Sequence, residues 1–170
     1  LDYQRRTAST FFEVQTTIKK FDFILGARTE DYHISGHTDT ADLNPFKAFR
    51  FFPNASIQYN LTKQINLNAN YNKKISLPST SVLNPNNNTY QNQNTTTVGN
   101  PNLEPTIYNN FEIQFSAFNY ANIGFSQSNI SNFVATRITL NNNQIVNTNI
   151  NVPELQTKNF NISFPIPYML

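Results

Sequence analysis

Three residues in the first third of the chain, His33, His37 and Asp39, have side chains that can bind a divalent metal ion. On a helix the spacing of the two histidines would place both imidazoles on one face, but Gly36 and the strand-like pattern around it argue against a helix. The sequence therefore favours a polar loop over residues 30–47 that exposes these charges to water. A divalent-ion site in this loop is the alternative.

A second group of polar side chains, formed by Asn66, Asn68, Asn70 and Glu112, could bind a ligand. The three asparagines alternate with apolar residues through 65–71, and only a pleated strand uses a period of two. Uncharged amides suit the water-filled lumen of a barrel, and an ordinary sandwich face is the alternative. Glu112 lies on the polar face of another strand, where it would bind a substrate or pair with a neighbouring Lys or Arg.

The sequence contains no recognisable arrangement of catalytic residues. Ser and Thr are abundant, but both histidines lie together in one predicted loop, and we find no nucleophile with a plausible base beside it. No Gly-x-Ser-x-Gly, phosphate-loop or dinucleotide motif occurs. The sequence therefore predicts a protein that is not an enzyme and that binds no cofactor.

The composition of the 170 residues is compatible with one domain and excludes several classes of protein. The absence of Cys removes disulfide and Cys-zinc chemistry, and a formal net charge of +2 predicts no binding to nucleic acid. The chain contains 15 Phe and 8 Tyr, and roughly one residue in six is Asn. No apolar run approaches the roughly 20 residues of a spanning helix, which excludes helical membrane proteins but not a β-barrel.

Alternation of apolar and polar residues predicts seven β-strands. Lys19 and Lys20 form a very short turn between the first two strands. Pro53, in the third strand, marks a bulge or a position at the lipid interface. The predicted strands are residues 12–18, 21–27, 49–59, 65–71, 109–118, 123–140 and 145–164.

The connections between these strands alternate in length. Short turns fall at Lys19, Leu61 and Tyr120, and long connections fall around His37 and Asn87. Outer-membrane barrels place short turns on the periplasmic side and long loops outside. Because single-chain bacterial barrels close with an even number of strands, about seven strands predict an all-β, antiparallel, incomplete segment of a larger transmembrane barrel. A small complete barrel of about eight strands is the alternative.

The last long connection is rich in Asn, Thr, Gln, Pro and Ser through residues 79–100, which predicts a mobile exposed loop. It leads into Gly-Asn-Pro-Asn-Leu-Glu-Pro at residues 99–105, where two prolines predict a stiff extended connector. These residues resemble the Gly-Asn-Pro-x-Leu-x-Pro motif that TonB-dependent outer-membrane receptors carry where an extracellular loop re-enters the barrel wall.

Three other segments are similar to the same receptors. Residues 26–30 resemble Gly-Leu-Arg-x-Glu, residues 72–79 resemble Ser-Arg-Arg-Ile-Ser-Arg-Pro-Ser, and residues 109–112 match Asn-x-Phe-Glu. Leu77 stands where the family usually has Arg, and Thr106 replaces the usual acidic residue.

The resemblance extends over residues 21–164 and implies that residues 1–170 are part of a single outer-membrane β-barrel domain of a Gram-negative bacterium. A plug domain and the remaining strands would lie outside this sequence. The family implies energised uptake of a siderophore, a cobalamin or a glycan. Its implied partners are outer-membrane lipid, the TonB complex, the ligand and a surface-exposed or periplasmic protein, and Glu112 would contact either the substrate or the plug.

Two other functions are compatible with the sequence. The first is a small complete outer-membrane barrel with a structural or adhesive role. The second is a soluble β-sandwich that binds carbohydrate through amides and exposed Tyr. The sandwich predicts that Phe111, Phe115, Phe125 and Phe160 are buried in a core.

Overall fold

The structure is a computed structural model that describes residues 2–37, 42, 45–85, 89–92, 94–118, 120–141 and 143–165. Within these residues no helix is long and apolar enough to cross a membrane. One short helix and nine strands are formed there, in the order β1 (Asp2–Ile18), β2 (Phe21–His37), β3 (Phe46–Thr62), β4 (Ile65–Ser76), α1 (Thr80–Leu83), β5 (Thr89–Asn92), β6 (Thr95–Val98), β7 (Thr106–Ala117), β8 (Ala121–Asn141) and β9 (Gln144–Ser163).

All described strands belong to one sheet, in the spatial order β1-β2-β3-β4-β7-β8-β9-β6-β5. Neighbouring long strands pair antiparallel, and the short strand β6 pairs parallel to the beginning of β9. The sheet is open, because β1 has a neighbour on one side only within the described residues. The seven long strands confirm the all-β, antiparallel architecture and the strand count that the alternating pattern predicts.

The strand register gives the sheet one apolar face, which we call the outer face. Leu67 on β4 lies opposite Tyr59 on β3 and Phe115 on β7, so apolar residues of adjacent strands meet on the same side. Many of them stay exposed, including Phe115 at 38% and Phe160 at 67%. This exposure contradicts the soluble sandwich, which requires the aromatic residues to be buried.

The height of the apolar band differs between strands and on β3 reaches that of a membrane. On β7 the outer face is apolar from Phe111 to Ala117, which is about 20 Å of strand at about 3.4 Å per residue and about 15 Å of height at a tilt of about 40°. On β3 it is apolar from Leu61 to Phe49, about 40 Å of strand, which a tilt of about 40° reduces to about 30 Å of height. Outer-membrane barrels have an apolar band about 25 Å tall.

Short turns connect the strands at one end of the sheet. Lys19 adopts a left-handed conformation with φ of 58°, and the carbonyl of Lys20 accepts a hydrogen bond of 2.8 Å from the amide of Asn60. Phe118 is also left-handed, with φ of 55°, and its amide donates to the carbonyl of Gln64 at 2.7 Å. These contacts join three neighbouring turns, so this end of the sheet is compact.

The prediction of a polar loop over residues 30–47 is wrong at residues 30–37 and 46–47, which belong to strands. Strand β2 continues to His37, and β3 already begins at Phe46. Residues 30–34 have partners on both sides, since Glu30 lies opposite Ser9 and Arg50. A backbone ladder on two sides stabilises a strand whatever the polarity of its side chains, so composition alone misplaces this boundary.

The prediction of a mobile exposed loop over residues 79–100 is also wrong for its described part. This segment contains α1, β5 and β6, and Leu83 is 7% exposed. Leu83 and Leu103 pack together against Tyr3 of β1 and Val134 of β8. The described residues of the connection between β4 and β7 therefore fold across the sheet, and we call the described part of residues 77–105 the cover segment.

Pro53 lies on the outer face without a bulge beside it. Its register with Ala27 of β2 is uninterrupted, and the ladder between β3 and β4 begins at the next residue, Asn54. Proline has no amide hydrogen to donate, so it suits the position where one of its two ladders ends.

Candidate functional site

The face opposite the apolar band, which we call the inner face, carries the polar side chains of the central strands. Asn70 on β4 lies opposite Glu112 on β7, which lies opposite Ser126 on β8 and then Asn159 on β9. Because adjacent strands are about 4.8 Å apart, these four side chains form a continuous polar row. Backbone pairing thus joins residues that are up to 89 positions apart in the sequence.

A hydrogen-bonded chain of neutral groups runs beside this row. Ser128 Oγ donates to Asn110 Oδ1 at 2.6 Å, and Asn110 Nδ2 donates to Asn72 Oδ1 at 2.9 Å. Each bond fixes the orientation of an amide or a hydroxyl group before any ligand arrives. The remaining donors and acceptors of these groups can bind water or a polar ligand.

Glu112 is the acidic residue of this group, and it is exposed. Its carboxylate forms no hydrogen bond or ion pair with the residues that the structure describes, and its cross-strand neighbours Asn70 and Ser126 are uncharged. An unpaired carboxylate keeps all of its acceptor sites available. It borders an open depression of about 190 Å³, which we call the inner polar patch, lined by Asn70, Asn72, Asn110, Phe111, Glu112, Ser126, Gln127, Ser128, Thr157 and Asn159.

Of the four predicted ligand-binding residues, the structure brings two together. Asn70 and Glu112 are direct cross-strand partners in the inner polar patch. Asn68 and Asn66 lie on the same face but closer to the short turns, and Ser56 Oγ donates to Asn68 Oδ1 at 3.4 Å. The prediction missed the partners from β8 and β9, because alternation within one strand carries no information on which strands become neighbours.

The inner face of β2 and β3 carries a charged network that is satisfied internally. Arg28 forms an ion pair of 3.4 Å with Glu30, and the Tyr32 hydroxyl donates to the same carboxylate. The guanidinium of Arg28 also lies 5.2 Å from the centre of the Phe52 ring. Tyr32 and Phe52 are buried at 2% and 3% exposure, so this network anchors the sheet beneath the cover segment.

A side-chain amide fastens the end of the cover segment to β9. Asn151 Oδ1 accepts from the Glu104 amide at 2.8 Å, while its Nδ2 donates to the carbonyls of Glu104 at 3.0 Å and Asn132 at 2.8 Å. Asn132 Nδ2 donates in turn to the Glu104 carboxylate at 2.7 Å. Residues 99–105, which the two prolines predict to be a stiff connector, are thus attached to β9 by hydrogen bonds between the Asn151 side chain and the backbone of Glu104.

The candidate metal ligands do not converge. His33 and His37 point to the same side of β2, but they are four strand positions, about 13 Å, apart, which is too far to share an ion. His33 Nδ1 lies 3.6 Å from Asp31, and His37 Nδ1 lies 2.6 Å from Asp42. Asp39 lies outside the described residues, and the described part of the chain contains no group of three or more potential ligands.

An exposed apolar band, a polar inner face and compact turns at one end define the wall of an outer-membrane β-barrel. The sequence matches the Outer membrane protein beta-barrel family over residues 1–169, and the chain belongs to this family. It is therefore a protein of the outer membrane of a Gram-negative bacterium. The search of curated proteins found no matching sequence.

Solved structures of TonB-dependent receptors have the same fold. The hemophore receptor HasR of Serratia marcescens, in complex with its hemophore HasA and heme, matches 92% of this chain with a TM-score of 0.73 and 14% identity, over 31% of its own length. The ferric enterobactin receptor PfeA of Pseudomonas aeruginosa, a mutant in complex with enterobactin, matches 92% with a TM-score of 0.62 and 16% identity, over 24% of its length.

The siderophore receptor PirA of Acinetobacter baumannii matches 92% of the chain with a TM-score of 0.58 and 20% identity, over 25% of its length. The chain thus spans about a quarter to a third of these receptors. Their folds confirm the resemblance to a segment of a TonB-dependent receptor barrel that the sequence motifs indicate.

Proposed function

We propose that this chain forms part of the wall and the extracellular mouth of a TonB-dependent receptor that imports a ligand across the outer membrane. In this proposal residues 1–170 belong to one barrel domain, whose plug and other strands are supplied by sequence outside this segment. The protein acts as a receptor and not as an enzyme. Its partners are the ligand, the TonB complex and outer-membrane lipid, and the solved receptors, by their titles, bind a hemophore with heme or a siderophore.

The observation that carries the proposal is the unpaired carboxylate of Glu112 in the inner polar patch. A purely structural carboxylate on a barrel wall would be expected to pair with a cation of a neighbouring strand. The neighbours of Glu112 are instead amides and hydroxyls, some of which already bond to each other. A pre-oriented neutral surface with one free carboxylate suits hydrogen bonding to a polar ligand or to the backbone of a plug.

The cover segment supports the same proposal from the other end of the sheet. It bridges β1 and β8 through Leu83 and Leu103, and it leaves a cleft beside Phe46, Arg50 and Glu104. A cleft that combines an aromatic ring with both signs of charge can hold a ligand before it reaches the lumen.

The test is an uptake assay in the native host with the full-length protein. Cells with and without the gene are compared for uptake of a ferric siderophore, cobalamin and an oligosaccharide, each with and without an uncoupler of the proton-motive force. The proposal expects uptake of one ligand class to require both the gene and the proton-motive force. The proposal is contradicted if cells with and without the gene take up all three ligands equally. If the purified protein requires detergent and has a mass of only 19.5 kDa, it is a small complete barrel instead.

The role of Glu112 is tested with Glu112→Gln, which keeps the size of the side chain and removes its charge. Loss of a charge-assisted hydrogen bond is expected to weaken uptake of the same ligand about tenfold. Glu154→Gln is the matched control, because Glu154 is an exposed residue of β9 outside the inner polar patch. If the two variants take up the ligand equally well, Glu112 does not contact the ligand during uptake.

A further inference from the structure

Within the residues that the structure describes, Glu112 is the only charged residue on the inner face of three neighbouring strands, β7, β8 and β9. The register defines this face, because Glu112 lies opposite Ser126, which lies opposite Asn159. Every second residue from these three positions is uncharged along the whole of each strand. The charged residues of β8 and β9 all lie on the other face. The net charge of this part of the inner face is therefore negative.

No cation of the neighbouring strand β4 neutralises this carboxylate. The inner polar patch is lined by no Lys or Arg. The inner-face cation of β4 is Lys74, four strand positions, or about 13 Å, from Asn70, which is the cross-strand partner of Glu112. The ammonium group of Lys74 lies 5.9 Å from the centre of the Tyr108 ring. Because charges in water are screened over about 10 Å, the carboxylate determines the electrostatic potential at the patch.

Two other carboxylates of the inner face, those of Glu13 and Asp22, also have neutral neighbours. Asp22 accepts hydrogen bonds from the Thr17 hydroxyl at 2.7 Å and from Asn60 Nδ2 at 2.6 Å, and Glu13 accepts one from Asn54 Nδ2 at 3.4 Å. Neither forms an ion pair with a residue in the described part of the chain. This wall thus holds its negative charges with neutral donors, so it attracts cations and repels anions.

We propose that the inner polar patch binds a positively charged, hydroxyl-rich ligand, namely an amino sugar, and that Glu112 determines this preference. The inference rests on the proposed function and names the class of its ligand. A protonated amino group of the ligand donates a charge-assisted hydrogen bond to the Glu112 carboxylate. The amides of Asn70 and Asn159 and the hydroxyl of Ser126, in the same row, bind the hydroxyl groups of the sugar. An anionic ligand is repelled by the same carboxylate.

The test is isothermal titration calorimetry on the purified full-length protein in detergent at about pH 6, where an amino group is protonated. The probes are the tetramers of glucosamine, N-acetylglucosamine and glucuronic acid, all joined by the β linkage of cellulose, so that they differ mainly in charge. The wild type should bind the glucosamine tetramer about tenfold more tightly than the N-acetylated one, and the glucuronic acid tetramer most weakly. Glu112→Gln should lose about tenfold in affinity for the glucosamine tetramer and keep its affinity for the N-acetylated one.

The matched control is Glu13→Gln, which removes a carboxylate from the same face but four strand spacings, or about 19 Å along the sheet, from Glu112. It should keep the preference of the wild type. The proposal is overturned if Glu13→Gln loses the preference to the same extent as Glu112→Gln, or if Glu112→Gln keeps it, as expected where Glu112 binds the plug. It is also overturned if the wild type binds either other tetramer as tightly as the glucosamine tetramer, or binds none. The wild-type comparison decides the matter if Glu112→Gln does not fold.

Failure of this inference is distinguishable from failure of the proposed function, because binding in detergent requires neither the TonB complex nor a proton-motive force. Energised uptake of another ligand class, without binding of the glucosamine tetramer, overturns the inference alone. Binding of the glucosamine tetramer that depends on Glu112, without gene-dependent uptake of any ligand, overturns the proposed function alone.

Discussion

The amide of Asn151 should determine whether the cover segment stays attached to the sheet. The perturbation that tests this is Asn151→Asp, which keeps the Oδ1 acceptor for the Glu104 amide and replaces the donor Nδ2 with a charged oxygen. That oxygen would face the carbonyls of Glu104 and Asn132, which now accept hydrogen bonds of 3.0 and 2.8 Å. It would also lie near the Glu104 carboxylate.

The magnitude follows from these contacts. Each lost hydrogen bond contributes about 1 kcal/mol, and the unfavourable approach of a carboxylate to two carbonyls and a second carboxylate adds about 1 kcal/mol more. The free energy of local opening should therefore fall by about 3 kcal/mol, which corresponds to about a 150-fold larger open population. The free energy of global unfolding should change less, because the ladders of the seven long strands remain intact.

Hydrogen exchange measured by mass spectrometry on the folded protein is the appropriate assay, since it reports opening segment by segment. Peptides that contain residues 99–105 should exchange about 150-fold faster in Asn151→Asp than in the wild type, whereas peptides from β2 and β3 should not change. Asn149→Asp is the matched control, because Asn149 Oδ1 accepts from Thr136 at 3.2 Å and a carboxylate oxygen can do the same.

Two outcomes would refute this reasoning. If residues 99–105 exchange at the wild-type rate in Asn151→Asp, the amide does not hold the connector. If Asn149→Asp opens the segment to the same extent, negative charge on β9 is responsible and the specific hydrogen bonds are not.

Two further predictions concern the lipid face and the glycine of the connector. Phe115→Arg should destabilise the folded barrel in lipid vesicles by about 2–4 kcal/mol in a denaturant titration, while Gln114→Arg, on the inner face, should change stability little. Gly99→Ala should raise the exchange rate of the cover segment at least tenfold, because an added Cβ would lie 2.2 Å from the backbone oxygen of Asn84. Gly26→Ala is the control for the glycine variant, because the added Cβ would meet the side-chain amide of Asn54, which can move. Equal exchange in the two glycine variants would contradict the second prediction. Equal stability of the two arginine variants would contradict the first.

Much of the wall could be predicted from alternation alone. Residues 65–71 and 111–117 alternate so regularly that both the strands and their two faces follow from the sequence. The polar extensions of β1 and β2 could not be predicted in this way. Above the membrane both faces of a strand meet water or protein, so no hydrophobic period is needed and the pattern disappears.

The cover segment could not be predicted because its few apolar residues are spaced irregularly. Leu83 follows Val82, and Leu103 stands 20 residues later between Asn102 and Glu104, so no regular apolar period connects them. Together they pack between Tyr3 and Val134, from opposite parts of the sheet. Composition indicates only how much apolar surface a segment can bury within itself. The cover segment instead buries its leucines against side chains of β1 and β8, which its own composition cannot reveal.

The sequence by itself determined the regularly alternating parts of the seven long strands, their apolar and polar faces and the three short turns at one end of the sheet, because a period of two and the turn residues are local properties. Only the tertiary structure decided that Glu112 lies between Asn70 and Ser126, and that Arg6 and Lys47 lie on either side of His33. The physical reason is that strands pair through backbone hydrogen bonds, which are the same for every residue type. Which residues become neighbours depends on the register of the whole sheet, to which many distant contacts contribute.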